Sequence, residues 1–182
     1  MSAVVFNTSN PGKQRELQRL FAVYGYQVNF TSHDLPEIQA DCIDVVVHKA
    51  CQVPEGVLVE DVSLDIPGEK VGVDVRWLID EITRFIGKKA CWKVLLAQYT
   101  KGKVYVYAGQ IHGSLVQKRE SSRFGSFGFD PYFIPKGYTK TLAVEKPDAC
   151  NARALAVEAF VTGKKHATHK ALWSWQGPWQ NT

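Results

Sequence analysis

The apolar positions change period within the first two dozen residues. Val4-Val5-Phe6 is an unbroken apolar run of the kind that makes a short buried strand, and Thr8-Ser9-Asn10-Pro11-Gly12 after it is a cluster of turn and helix-capping residues. From Lys13 the spacing becomes helical. Leu17, Leu20 and Phe21 fall on one face while Gln14, Arg15, Glu16, Gln18 and Arg19 fill the other, which predicts an amphipathic helix ending near Gly25.

Residues 27–30 are strand-like, and the irregular stretch from Ser32 to Gln39 contains Asp34-Leu35-Pro36-Glu37, in which Pro36 disfavours a helix running through it. The mixed spacing around Lys49 predicts a helix from Ile43 to Val53, although Val45-Val46-Val47 taken alone favours a strand. Gly56-Val57-Leu58-Val59 is a second short apolar run that leads directly into Glu60-Asp61. Two carboxylates are therefore expected at the carboxyl end of a central strand, where open α/β sheets bind their ligands. Trp77, Leu78, Ile82 and Phe85 predict a helix from Val75 to Ile86, which also carries Arg76. Lys93 to Thr100, a Lys101-Gly102-Lys103 turn, Val104 to Ile111 and Gly113 to Lys118 predict hairpins. Residues 124–135 predict a Gly, Phe and Pro-rich loop entering the strand Tyr132-Phe133-Ile134, and Ala152 to Phe160 a last helix.

Composition narrows the class. Of 182 residues, 45% are hydrophobic and 22% charged, as in ordinary globular proteins, with no low-complexity run, no internal repeat and no linker long enough to separate independent domains. Residues 1–182 are accordingly read as a single domain, long enough for two lobes sharing a cleft. No apolar stretch reaches the length of a membrane span, and the apolar start is too short for a signal peptide, so a cytoplasmic location is expected. Cys42, Cys51, Cys91 and Cys150 show neither CxxC pairing nor zinc-finger spacing. A net charge of +4 suits a small anionic ligand as well as nucleic acid.

Four segments carry residue types with chemistry. Amides at the start of the first helix, behind Thr8, Ser9 and Asn10, face a negative guest favourably, and Lys13 adds charge; a phosphate chain fits, although this is no Walker loop and an ordinary capped helix reads the same way. Glu37, Glu60 and Asp61 supply the oxygen ligands that Mg²⁺ takes one or two at a time alongside substrate phosphates, and a carboxylate there can accept a proton from attacking water. Adjacent Glu-Asp pairs are equally common as solvated turn residues. In Phe124-Gly125-Ser126-Phe127-Gly128-Phe129-Asp130-Pro131, aromatic rings offer stacking for a nucleobase and Asp130 a group for its edge, unless the rings simply fill the core. Glu145-Lys146, with Arg153 nearby, offers cations.

In this order the segments resemble the inosine triphosphate pyrophosphatase family, which cleaves non-standard purine nucleotides such as ITP, dITP and XTP to the monophosphate and pyrophosphate. The resemblance runs from Val4 to about Phe160, on Thr8-Ser9-Asn10-Pro11-Gly12-Lys13, Asp34-Leu35-Pro36-Glu37-Ile38-Gln39, Leu58-Val59-Glu60-Asp61, Phe127-Gly128-Phe129-Asp130-Pro131 with Gly137-Tyr138-Thr139-Lys140-Thr141, and Glu145-Lys146. It implies an α/β fold: a long curved mixed β-sheet flanked by helices, two lobes with a nucleotide cleft between them, and a homodimer dependent on Mg²⁺, with Mn²⁺ as the alternative ion. It further implies that Thr8, Ser9, Asn10 and Lys13 hold the triphosphate, that Glu37 and Asp61 hold the metal, and that Asp61 activates water. Lys49 and Arg76 would surround the phosphates with charge, Lys146 would support the nucleotide, and Phe127, Gly128, Phe129 and Asp130 would form the base pocket.

Two departures stand out. The family's Ser/Thr-His-Arg run after Glu-Lys is replaced by Pro147-Asp148-Ala149-Cys150-Asn151-Ala152-Arg153, so Arg153 stands in for the usual arginine only if one residue is inserted, and the histidine is missing. The loop after Asp61 is shortened and reads Lys70-Val71-Gly72-Val73. Alternatives to the leading reading are a Maf-type pyrophosphatase acting on modified pyrimidine nucleotides and a catalytically inactive nucleotide- or RNA-binding module. Residues 161–182 form a basic, Trp-rich extension in which Trp173, Trp175 and Trp179 are expected to cover an apolar surface of this subunit or a partner, rather than to bind nucleic acid. His166 and His169 lack a third ligand for a metal.

Overall fold

The computed structural model describes residues 2–69, 75–119 and 128–180, and only the backbone of 75–77. The shortened loop at residues 70–73 therefore lies outside the described residues. Strand β1 (Ser2–Asn7) leads into helix α1 (Pro11–Ala22), whose Leu17, Leu20 and Phe21 are buried as the periodicity predicts. Strand β2 (Tyr26–Thr31) returns parallel to β1, in register from Ser2 opposite Tyr26 to Asn7 opposite Thr31. Helix α2 (Cys42–Cys51) resolves the ambiguity at Val45-Val46-Val47: Asp41 caps it by accepting the Ile43 and Asp44 N–H groups, and all three valines are buried. A good cap and a fully apolar environment on that side outweigh the modest helix penalty of β-branched residues.

Strand β3 (Val57–Asp65) lies parallel to β1, followed by α3 (Val75–Glu81), a single 3₁₀ turn (Ile82–Phe85), β4 (Lys89–Thr100) and β5 (Lys103–Leu115). The predicted break between Ile111 and Gly113 is absent, because β5 runs through both and continues to Leu115. Gly113 is set by a distant segment: a Cβ there would collide with the Ile134 carbonyl oxygen and lie 2.6 Å from Phe133 Cζ. Strand β6 (Phe133–Pro135) thus packs against bare backbone, antiparallel to β5. Helix α4 (Ala152–Val161) and strand β7 (Ala167–Lys170) follow.

The result is a seven-stranded mixed sheet flanked by helices, in the order β2-β1-β3-β4-β5-β6, with β7 also pairing antiparallel with β5. The chain divides into two compact units of interleaved segments: residues 1–61, 95–108 and 156–182 in one, 62–94 and 109–155 in the other. The first has a core in which Val46, Val47 and Ala50 of α2 meet Val57 and Val59 of β3, Leu95 and Ala97 of β4, and Val104 and Val106 of β5. In the second, Trp92, Phe129 and Phe133 meet edge to face, with ring centroids 5.9 and 6.0 Å apart. Among the described residues no helix is long and apolar enough to cross a membrane.

Candidate active site

The β1–α1 junction is built by its own side chains. Asn10 Oδ1 accepts the Lys13 N–H at 3.1 Å, and Thr8 Oγ1 accepts the Asn10 N–H at 3.3 Å. Gln14 Nε2 donates to the Thr8 carbonyl at 2.9 Å, and Pro11 opens the helix where a missing N–H costs nothing. Ser9 is exposed in front of the helix. Once the cap fixes the first turn, Lys13 reaches Glu60 on β3, forming an ion pair of 2.7 Å with a carboxylate whose side chain is 4% exposed.

Glu60 and Asp61 do not end their strand, as the sequence reading expected; β3 continues to Asp65. The pairing partner ends instead. Register with β1 stops at Phe6 opposite Leu58, so Glu60 and Asp61 lie just past the carboxyl end of β1, beyond the reach of a local apolar-run reading. Successive strand residues point to opposite faces, and the two acids accordingly meet different lysines.

Asp61 meets Lys49. From α2, Lys49 Nζ donates to Glu37 Oε1 at 2.8 Å, to the Glu60 carbonyl at 2.9 Å and to Asp61 Oδ1 at 3.4 Å. Two acids separated by two dozen residues of chain thus converge on one ammonium group. Glu37 is the outer member, its side chain 39% exposed, and Asp61 the inner one, at 6%. Burial pushes the Asp61 carboxyl up to about 7; the Lys49 charge opposes this, while the charges of Glu37 and Glu60 add to it. For Lys49, burial works to lower the ammonium, but Asp61 and Glu37 outweigh it and hold the group above its ordinary value. Asp61 Oδ2 is buried without a hydrogen-bond partner. Among the described residues no three His, Cys, Asp or Glu side chains gather closely enough to hold a metal on their own.

In the second unit, Asp130 is buried and pairs with Lys146 at 3.2 Å, and Lys146 Nζ lies 4.8 Å from the centroid of the Trp92 ring. Phe129 is buried against Trp92 and Phe133, so its ring belongs to the core, while Gly128 is exposed with φ of +56°, a conformation that favours glycine. Arg153 is buried at the start of α4, where Asn151 Oδ1 accepts the Arg153 and Ala154 N–H groups. Ala152, between the Asn151 cap and Arg153, is fully buried. Phe127 and the side chain of Arg76 lie outside the described residues.

A sequence model described as the Ham1 family matches residues 4–163. The chain belongs to the Ham1 family. A dITP/XTP pyrophosphatase of Pyrococcus horikoshii is 31% identical over 176 residues, covering 86% of this chain and 94% of that protein. An inosine triphosphate pyrophosphatase of Yarrowia lipolytica is 30% identical over 187 residues, covering 93% and 97%. The solved Ham1 protein of Staphylococcus aureus superposes with a TM-score of 0.68 at 18% identity, over 90% of this chain and all of that one, which is a likeness of fold. The Ham1 match ends at Gly163, leaving β7 and the tryptophan segment outside it.

One partner of a candidate site residue was not singled out from the sequence, and another was singled out without its pairing. Trp92 sits in an ordinary alternating strand, and only the fold brings it under Lys146. Glu60 was visible as a carboxylate, but nothing in its spacing pointed to Lys13 as its partner.

Proposed function

We propose that this chain hydrolyses non-standard purine nucleoside triphosphates, of the ITP, dITP and XTP type, to the monophosphate and pyrophosphate. The observation that carries the reading is the cluster in which Lys49 joins Glu37 to a buried Asp61 whose Oδ2 has no partner, with Lys13 held nearby in chain topology at the head of α1. The names of the relatives support the substrate class.

The α1 amino terminus and Lys13 bind and orient the phosphate chain, since oriented amides and a cation both favour negative charge. Burial raises the Asp61 carboxyl above the usual carboxylate range, to about 7 in the metal-free site, which makes its carboxylate a stronger acceptor for a proton from water than an exposed one. Lys49 keeps the two acids together and screens their mutual repulsion. Glu37 and Asp61 fit a divalent ion, because an unpartnered buried carboxylate oxygen beside a second carboxylate is the oxygen-rich, incomplete donor set that Mg²⁺ or Mn²⁺ completes with phosphate and water. Such an ion, when bound, would draw charge off the phosphoryl oxygens. Asp130 and Lys146 supply a polar pair for the base edge, backed by the buried Trp92 ring, with Arg153 a further cation. A homodimer and a cytoplasmic location complete the proposal; sedimentation of the purified protein checks the former.

Incubation with ITP, dITP, XTP, dUTP and the four standard ribonucleoside triphosphates in Mg²⁺ tests the function. Pyrophosphate release, faster from ITP, dITP and XTP than from any standard triphosphate, is expected. Release of orthophosphate, preference for a pyrimidine, or no turnover would refute it.

A further inference from the structure

The extension past the Ham1 match does not hang free. After β7, Leu172 N–H donates to Cys51 Sγ at 3.3 Å and Gln52 Nε2 donates to the Trp173 carbonyl at 3.4 Å, so the chain is tied to the carboxyl end of α2. Trp173 packs edge-on against Tyr99, with centroids 4.9 Å apart. The chain then forms an antiparallel bridge, Ile38 opposite Trp179. Gln39 N–H donates to the Pro178 carbonyl at 2.9 Å and Gln180 N–H to the Glu37 carbonyl at 2.9 Å. Gln180 Nε2 donates to the Ile38 carbonyl at 3.0 Å, and the Trp179 ring meets His48 edge to face at 5.5 Å.

These contacts fall on both elements that carry the outer half of the carboxylate cluster. Residues 37–39 belong to no helix or strand of their own, and Pro36 prevents a helix from forming across them. Their backbone partners come from the extension. His48, which Trp179 covers, precedes Lys49 on α2. We infer that residues 172–180 are a strap that fixes Glu37 against Lys49, and thereby sets how tightly the Glu37–Asp61 pair takes a divalent cation. Both tryptophans remain about half exposed, at 57% for Trp173 and 45% for Trp179, so their contribution is to hold backbone in place more than to build core. Outer partners that orient a ligand carboxylate are worth roughly 10- to 100-fold in metal affinity.

The inference rests on the metal role proposed for Glu37, and the test separates the two. Mn²⁺ binding is followed by electron paramagnetic resonance, without nucleotide, for the intact protein, Glu37→Gln, Gln180→Pro and the double variant. Gln180→Pro removes the backbone donor to Glu37 and the side-chain donor to Ile38 at one half-buried position, outside every helix and named strand. Either single change is expected to weaken Mn²⁺ binding by roughly tenfold or more. The double variant is expected to bind no more weakly than Glu37→Gln, since the strap acts only through that carboxylate. Gln180→Pro binding Mn²⁺ within twofold of the intact protein, or costing the same factor in both backgrounds, overturns the strap while leaving the metal reading standing. An intact protein that takes up no Mn²⁺ overturns both.

Discussion

Asp61→Asn should give a protein that is inactive yet more stable than the parent at slightly alkaline pH. Burial raises the Asp61 carboxyl from 3.8 to about 7, so the folded chain keeps a proton that the unfolded chain has already released. Below 3.8 both states are protonated and nothing is lost. Between 3.8 and about 7 the folded state binds more protons than the unfolded one, and stability falls as pH rises; above 7 the loss is complete and constant. Three pH units at about 1.4 kcal/mol each amount to roughly 4 kcal/mol by pH 8. Asparagine removes this charge cost, but its amide must replace Oδ2 where no partner exists, at a cost of about 1–3 kcal/mol. The net gain is therefore about 1–3 kcal/mol at pH 8, vanishing or reversing at pH 4. Urea unfolding of parent and variant in EDTA at several pH values reads this directly, and pyrophosphate release confirms the loss of activity. A variant less stable than the parent at pH 8, or a parent whose stability relative to the variant does not fall between pH 4 and 7, would refute the argument. Retained turnover would remove Asp61 from catalysis.

Lys13→Met should raise KM for the triphosphate by roughly 10- to 100-fold, the worth of one charged hydrogen bond to phosphate, with the far-ultraviolet circular dichroism unchanged; steady-state kinetics decide it. kcat/KM should fall as pH is lowered into the range where Asp61 takes up a proton, a range that a bound cation moves below the metal-free value of about 7; a rate unchanged down to about pH 4 would exclude Asp61 as the base. Gly113→Ala should destabilise the fold by about 1–3 kcal/mol in chemical denaturation, since a Cβ there meets Ile134 backbone and the Phe133 ring.

Local patterning was enough for the elements that depend on local forces. The Thr8-to-Gly12 cap and the buried face of α1 follow from side chains a few residues apart, and so they could be read in one dimension; α2 stayed ambiguous until its Asp41 cap and buried valines were seen. The same is true of much of the candidate chemistry, because Lys13, Glu37, Asp61, Asp130 and Lys146 stand out by type and by order along the chain, whereas Lys49 was implied only by the family resemblance.

Pairing between distant segments decided the rest. Where β1 stops, and not where an apolar run stops, sets Glu60 and Asp61 past its end; β5 passes Gly113 without a break because β6 needs the missing side chain. Lys49 between Glu37 and Asp61, Trp92 under Lys146, and the tryptophan segment laid on residues 37–39 all join residues whose proximity no periodicity encodes. A sequence states which groups are present and which local conformations they favour, whereas charge pairing and burial depend on distances through space, and these exist only once distant strands and helices have paired and packed.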